Sequence, residues 1–279
     1  MDGINAMDRK INTLYFSPTG TTEKIVKDIA QKIVQNYGGK AAVRDFDFTL
    51  PQKRKENVSF CKDDLVIAGV PVYAGRVPNV LLKFLNTVSG NGATAIAVVV
   101  YGNRDYDDAL IEFKDILLAD GFNVVAAGAF IGEHSFSTVL GANRPDEKDM
   151  AQVNGFAAKI CDKLKSSGME PDFAVKGNRP YRPYHRANSP DGVKGDFLKA
   201  VPKTNSDCID CKLCAQVCPM GSIDPDDVAR ITGVCIKCCA CVKKCPVSAK
   251  YFDDGIFLWH KEELELKFSP VRCEPEYFL

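Results

Sequence analysis

INTLYFSPTGTTEKIVKDIAQKIV, residues 11–34, passes from a short apolar run through a hydroxyl-rich loop into apolar residues at helical spacing. Residues 11–16 read as a buried strand, and Ile25, Val26, Ile29, Ile33 and Val34 recur on one face of a helix. Between them lies Ser17-Pro18-Thr19-Gly20-Thr21-Thr22. A loop at a helix N-terminus presents free backbone N–H groups and the positive end of the helix dipole, which favour an anion. Four hydroxyls add donors, and no Lys or Arg lies in the loop. It therefore suits a phosphate monoester held by neutral groups. The Gly-Lys pair of a triphosphate-binding loop is absent. The same hydroxyls are also preferred helix caps.

The pattern then repeats. Residues 41–48, 65–70, 94–101 and 123–131 read as strands; 79–88, 108–119 and 147–164 read as helices; 51–60 is a polar loop or short helix. Strands with apolar interiors, alternating with helices, predict a parallel sheet covered on both faces. Asp146 is placed to cap the last helix. In such sheets ligands bind beyond the carboxyl ends of the strands, where strand order reverses. The loops there are distinctive: Pro71-Val72-Tyr73-Ala74-Gly75-Arg76-Val77-Pro78, Tyr101-Gly102-Asn103-Arg104-Asp105-Tyr106 and Gly132-Glu133-His134-Ser135.

The second informative stretch spans residues 208–246. C-x2-C-x2-C-x3-C-P occurs twice, offset by 27 residues: Cys208 with Cys235, Cys211 with Cys238, Cys214 with Cys241, Cys218 with Cys245, Pro219 with Pro246. This doubled run is the bacterial spacing for two [4Fe–4S] clusters, the fourth thiolate of each run crossing to the other cluster. Cys208, Cys211, Cys214 and Cys245 are thus assigned to one cluster, and Cys235, Cys238, Cys241 and Cys218 to the other. Zinc sites instead spread thiolates as separated CxxC pairs. Of the remaining cysteines, Cys61, Cys161, Cys239 and Cys273, the third sits between two ligands and reads as a small packed residue.

Apolar content of 46% and charged content of 26% fit an ordinary globular protein. A formal net charge of zero gives no reason to expect nucleic acid or a membrane surface as partner. No apolar run spans a bilayer, and the N-terminus has no secretory pattern. Cluster ligation by eight of twelve cysteines implies a reducing cytoplasm in a cell that keeps oxygen away. Residues 176–203 carry seven Lys/Arg and two Asp, or +5; residues 253–279 carry seven Asp/Glu and three Lys/Arg, or −4. These segments either neutralise one another or offer a basic face to an acidic carrier. Residues 251–279 read as a strand and tail over the cluster domain, with Trp259 in the core.

Residues 1–165 resemble a flavodoxin. Ser17-Pro18-Thr19-Gly20-Thr21-Thr22 matches that family's FMN phosphate loop, S/T-x-T-G-x-T, and the loops at 71–78 and 101–106 lie where its two flavin-ring loops lie. Residues 204–252 resemble two-cluster bacterial ferredoxins, with all eight ligands and both prolines in place. Together they resemble the flavodoxin–ferredoxin fusion family. The resemblance implies an α/β fold: a doubly wound five-stranded parallel sheet of order 2-1-3-4-5 (residues 1–166), a basic linker (167–203) and a small α+β two-cluster domain with a C-terminal extension (204–279). It implies FMN bound by Ser17, Thr19, Gly20, Thr21, Thr22, Tyr73, Ala74, Gly75, Tyr101, Gly102, Asn103 and Tyr106, with Tyr73 and Tyr106 flanking the ring. Gly75 permits a peptide flip toward reduced flavin. Arg76 and Arg104 depart from the acidic surroundings usual in flavodoxins and would ease charging of the flavin. His134 is a candidate proton donor.

Function follows as an expectation: electrons relayed between a ferredoxin-type partner and an acceptor through two [4Fe–4S] clusters and FMN, in a monomer or a homodimer. The alternatives are an FMN-dependent reductase of a small organic substrate and a redox-inert sensor. No dinucleotide fingerprint is present.

Overall fold

In the computed structural model the described residues are 10–36, 42–166, 173–187 and 196–279. Five strands pair in parallel: β1 (Lys10–Tyr15), β2 (Val43–Asp47), β3 (Asp64–Pro71), β4 (Thr94–Tyr101) and β5 (Asn123–Ile131). Their order is β2-β1-β3-β4-β5, the flavodoxin-like order with its switch point between β1 and β3.

Alternation along the strands explains the two covered faces. Val66, Ala68 and Val70 of β3, with Ala95, Ala97 and Val99 of β4, join one core with α2 (Asn79–Leu85) and α3 (Ala109–Ala119). Leu65, Ile67, Ile96 and Val98 join the other, under α1 (Thr21–Asn36) and α4 (Glu147–Lys165). Gly69 lets α1 lie close on the sheet, since a Cβ there would meet Val26 Cγ2 at 2.3 Å. Asp146 caps α4 as expected, in a reciprocal capping box with Asp149.

The cluster half is small: β6 (Lys203–Thr204) pairs antiparallel with β7 (Lys250–Tyr251), enclosing two single-turn helices, α5 (Leu213–Gln216) and α6 (Ala240–Lys243). The 27-residue repeat is conformational as well as chemical. Left-handed backbone recurs at Asp210 and Lys237, Lys212 and Cys239, and Gly221 and Ser248.

The C-terminal stretch differs from expectation. Residues 251–279 form a helix, α7 (Gly255–Phe268), capped by Asp254, and then β8 (Glu276–Phe278). β8 does not cover the cluster domain. It pairs antiparallel with β5 as a sixth strand of the large sheet, with Tyr277 against Phe156 at 5.1 Å. A free sheet edge with unpaired N–H and C=O groups explains the return. Trp259 is half-buried, and the helix positions that are buried are Ile256, Phe257, His260 and Leu264.

The basic linker is also tied down. Arg179 pairs with Asp115 at 2.5 Å, Arg182 with Asp108 at 2.9 Å and Lys176 with Glu276 at 3.3 Å. Asp108 is fully buried; its hydrogen bonds from Arg182 outweigh burial and hold its carboxyl well below the usual range. Much of the positive charge of 176–203 is thus answered within the chain.

Candidate cofactor sites

The phosphate loop divides its hydroxyls between two roles. Ser17 Oγ accepts from Glu23 N at 3.0 Å and caps α1, while Ser17 N donates to Thr49 Oγ1 at 2.8 Å. Gly20, at φ +93°, closes the turn by donating its N–H to Ser17 O. Thr19, Thr21 and Thr22 are left lining a small cavity. That cavity adjoins a larger one of about 550 Å³, sharing Val72, Tyr73, Tyr101, Gly102, His134 and Ser135 with it. The larger cavity is roofed by the second half of the chain: Ile236 and Lys237 of the cysteine loop, Phe197 and Leu198, and Ile256, His260 and Leu264 of α7.

Tyr73, Ala74 and Gly75 line the large cavity. Tyr73 and Arg76 exchange backbone hydrogen bonds around Ala74 (φ 54°) and Gly75 (φ 77°), a primed turn. A Cβ on Gly75 would meet Asp107 Oδ2 at 2.4 Å. Both carbonyls of the expected flipping segment are occupied: Ala74 O accepts from His185 N at 2.9 Å and Gly75 O from Asp108 N at 3.1 Å. A flip therefore exchanges existing bonds.

Two expected ring residues lie elsewhere. Tyr106 is buried in the core, and its hydroxyl donates to Glu276 at 2.8 Å. Asn103 is buried beneath the tail. Its amide donates to Phe268 O and Val271 O, and its carbonyl accepts from Cys273 N and Arg144. Both positions are claimed by the returning C-terminal segment. Arg76 also turns away from the cavity, into a bidentate pair with Glu112 at 2.7 Å, and donates to Arg182 O. Arg104 does line the cavity, paired with Asp107.

All three histidines of the chain line the large cavity, two of which the sequence left without a role. His185 stacks on His260 at 5.9 Å. Burial pulls all three pKa values down, that of His134 to about 3, helped by His260, Lys243 and Arg104. No periodicity announces this convergence, because the three come from a β5 loop, the linker and α7.

The cysteines fall into two chambers. One is lined by Cys208, Cys211, Cys214 and Cys245, the other by Cys218, Cys235, Cys238 and Cys241, with Cys239 alongside. These are the two crossed sets read from the spacing. Cys218 Sγ accepts from Ser222 N at 3.3 Å and Cys245 Sγ from Ala249 N at 3.2 Å, the same bond one repeat apart. Burial raises the thiol pKa values of Cys214, Cys235, Cys238 and Cys241, that of Cys238 to about 12. Buried thiols of this kind ionise when a bound metal supplies the positive charge. Among the described residues no three His, Cys, Asp or Glu converge closely enough for a single metal ion. Each chamber is lined by one crossed set of four thiols, the donor number of one [4Fe–4S] cluster. Ile236 lines both the second chamber and the large cavity. The Tyr73 phenol pKa is raised first by burial and then by neighbouring Cys238, Cys239 and Cys235.

Residues 201–224 match the family model described as a 4Fe-4S binding domain. No curated protein matches the chain. Among solved structures the chain is similar to a flavodoxin from the domain Archaea, at 18% identity over 56% of this chain and 99% of that one, TM-score 0.41. It is similar to the Streptococcus pneumonia TIGR4 flavodoxin at 20% identity over 55% and 98%, TM-score 0.38. It is also similar to an NADH:FMN oxidoreductase (EMOB) in its apo form, at 18% identity over 57% and 91%, TM-score 0.42. Strand order and the matched segment together describe one polypeptide in which a flavodoxin-like α/β domain is fused to a ferredoxin-type iron–sulfur segment.

Proposed function

We propose that the chain is an electron-transfer protein that carries FMN and two [4Fe–4S] clusters and passes electrons from a ferredoxin-type partner through the clusters to the flavin. The observation that carries this reading is the wall at Ile236, shared by the large cavity and the chamber of Cys218, Cys235, Cys238 and Cys241. When bound, the clusters supply single-electron steps and the flavin couples them to one- or two-electron chemistry.

The chain's own residues do the rest. Thr19, Thr21 and Thr22 and the N-terminus of α1 receive the phosphate end. Tyr73, Ala74, Gly75, Tyr101 and Gly102 line the cavity that would take the ring. Phe197, Ile256 and Leu264 exclude water from above. Cys211 and Ile209 are exposed beside the other chamber, a surface suited to electron entry from a partner.

Anaerobic loading followed by iron, sulfide and flavin counts tests the reading. Two clusters and one flavin, about eight irons per FMN, are expected. Stoichiometric zinc in place of iron, or a chain that retains no FMN, refutes it.

A second reading has one observation in its favour. The cavity that takes the ring also presents His134, His260, His185 and Arg104, groups able to hydrogen-bond and orient a small organic acceptor. Turnover of such an acceptor by the reduced chain without a partner protein supports a reductase; strict dependence on a protein acceptor supports the relay.

A further inference from the structure

The electron path has a built-in charge asymmetry. Lys237 and Asp210 occupy equivalent positions, between the first and second cysteines of the two repeats, each with left-handed backbone (φ 52° and 55°). Their surroundings are opposite. The Asp210 side chain is 64% exposed and pairs with Lys212 at 2.8 Å. Lys237 is 5% exposed. Its ammonium donates to Leu198 O at 2.6 Å and Cys235 O at 2.9 Å, and lies 5.8 Å from the Phe197 ring centre. Among the described residues no carboxylate lies within ion-pair distance of it. Beyond ion-pair distance, Cys235, Asp196 and Asp254 are the groups whose charge acts on it, in that order.

Lys237 also lines the large cavity. The other cations there are differently placed: Arg104 is answered by Asp107, and Arg186 is exposed at the rim. Lys250, the other buried lysine of this half, donates to Val228 O and acts on both Cys214 and Cys241. Its field is therefore shared by the two chambers, whereas that of Lys237 falls on one chamber and the cavity.

We propose that Lys237 sets the direction of electron flow: fixed at the junction of the Cys235 chamber and the flavin cavity, it holds that cluster at a higher reduction potential than the cluster of Cys208, Cys211, Cys214 and Cys245. Reduction adds negative charge, and a buried cation favours the more negative state of whatever it adjoins. The exposed Asp210–Lys212 pair gives the other cluster no equivalent field, because surface pairs are screened. Electrons then run from the exposed chamber to the buried one and on to the flavin. This inference rests on the relay reading.

The test is an EPR-monitored redox titration of the full chain, loaded anaerobically, as wild type and as Lys237→Gln, Lys237→Asn, Lys237→Arg and Asp210→Asn. In Lys237→Gln the separation between the two cluster couples narrows by at least a tenfold change in electron sharing, about 59 mV for one electron. The flavin couple falls in the same variant, Lys237→Arg restores both, and Asp210→Asn leaves the separation within about twofold, as its screened surface site requires. Lys237→Asn, whose side chain suits left-handed backbone, carries the measurement if Lys237→Gln loses iron. An unchanged or wider separation overturns the proposal, as does iron loss from both neutral variants, which makes Lys237 a loop-building residue. Wild type that fails to load flavin or both clusters refutes the relay itself; wild type that loads, with an unchanged Lys237→Gln, refutes only the role of Lys237.

Discussion

Glu112→Ala is the sharpest test of how the flavin loop is held. Glu112 is buried on α3, with its side chain 4% exposed, and it receives three hydrogen bonds: Arg76 Nε and Nη2, each at 2.7 Å, and Val77 N at 2.8 Å. The Arg76 side chain is 13% exposed, so removing the carboxylate leaves a desolvated cation and an orphaned N–H. Breaking a buried pair from one side costs about 3–5 kcal/mol. With an unfolding entropy of about 2.1 cal/mol/K per residue, 279 residues give about 0.6 kcal/mol/K, so the melting midpoint falls by about 5–9 °C. The damage reaches the cavity, because Arg76 also donates to Arg182 O and lies under Tyr181 and Tyr184. The strand of linker it holds brings His185 onto Ala74 O. Thermal melts of the apo and FMN-loaded chain, with a flavin titration, make the assay: stability falls and the FMN dissociation constant rises. Arg76→Met with Glu112→Leu, removing both charges, recovers at least half of the loss, since well-packed apolar replacements of buried pairs are near neutral. A midpoint for Glu112→Ala within about 1 °C of wild type refutes the clamp.

Three further outcomes are expected. Cys218→Ser and Cys245→Ser each lose about half the iron, and Cys218→Ser, like Cys235→Ser, perturbs the cluster nearer the flavin; matching spectra for Cys218→Ser and Cys208→Ser would break the crossed assignment. His134 is held neutral, its pKa lowered from 6.5 to about 3, so its contribution to stability is complete above about pH 6.5 and is lost as pH falls toward 3. Replacing it with Asn flattens the pH dependence of unfolding across that window, measured by denaturant titration; an unaltered slope counts against a buried neutral imidazole. Asn103→Ala removes four bonds to the tail and to Arg144, at about 2–4 kcal/mol, and hydrogen exchange accelerates over 268–278 while β1–β4 stay protected.

The sheet was legible because β3, β4 and β5 are apolar on both faces and α1 and α4 each keep one apolar stripe. The two cysteine sets were legible because ligand spacing is a local constraint, and the crossed chambers match it. The ring site was legible only in part. Tyr73, Ala74 and Gly75 line the cavity, but Tyr106 and Asn103 are taken by partners more than 160 residues away, at Glu276 and Phe268–Cys273, which no local pattern reveals. Arg76 looked free in sequence and is bound by Glu112, one turn into a helix whose polar member faces inward. α7 escaped notice because its apolar residues, Ile256, Phe257, Leu258, Trp259, Leu264, Leu266 and Phe268, do not keep to one stripe. The three histidines carried no signal at all, since only the packing of three distant segments joins them.

The returning tail changes what kind of electron carrier is possible. A ferredoxin half joined by one linker could swing or dissociate, and its clusters would meet the flavin only at intervals. Here the segment between 204 and 252 leaves the large sheet through the linker and re-enters it at β8, so it is held at both ends. Lys243 adds a pair with Glu133 and a bond to Ser137 O at 2.7 Å, Ser137 Oγ donates to Glu265 at 2.6 Å, and Arg54 reaches Pro219 O. Each of these crosses from the flavodoxin-like half to the cluster half or to α7. A donor cluster fixed against its acceptor has its distance set by packing and not by diffusion, so transfer between them is independent of protein concentration and of the viscosity of the medium. Deleting residues 274–279 removes β8 while sparing every cysteine of the two chambers. In that variant both clusters and FMN still load, and flavin reduction through the clusters becomes viscosity-dependent in stopped-flow mixing. Viscosity-independent reduction after the deletion would mean that β8 only covers a sheet edge and that the remaining contacts alone hold the junction.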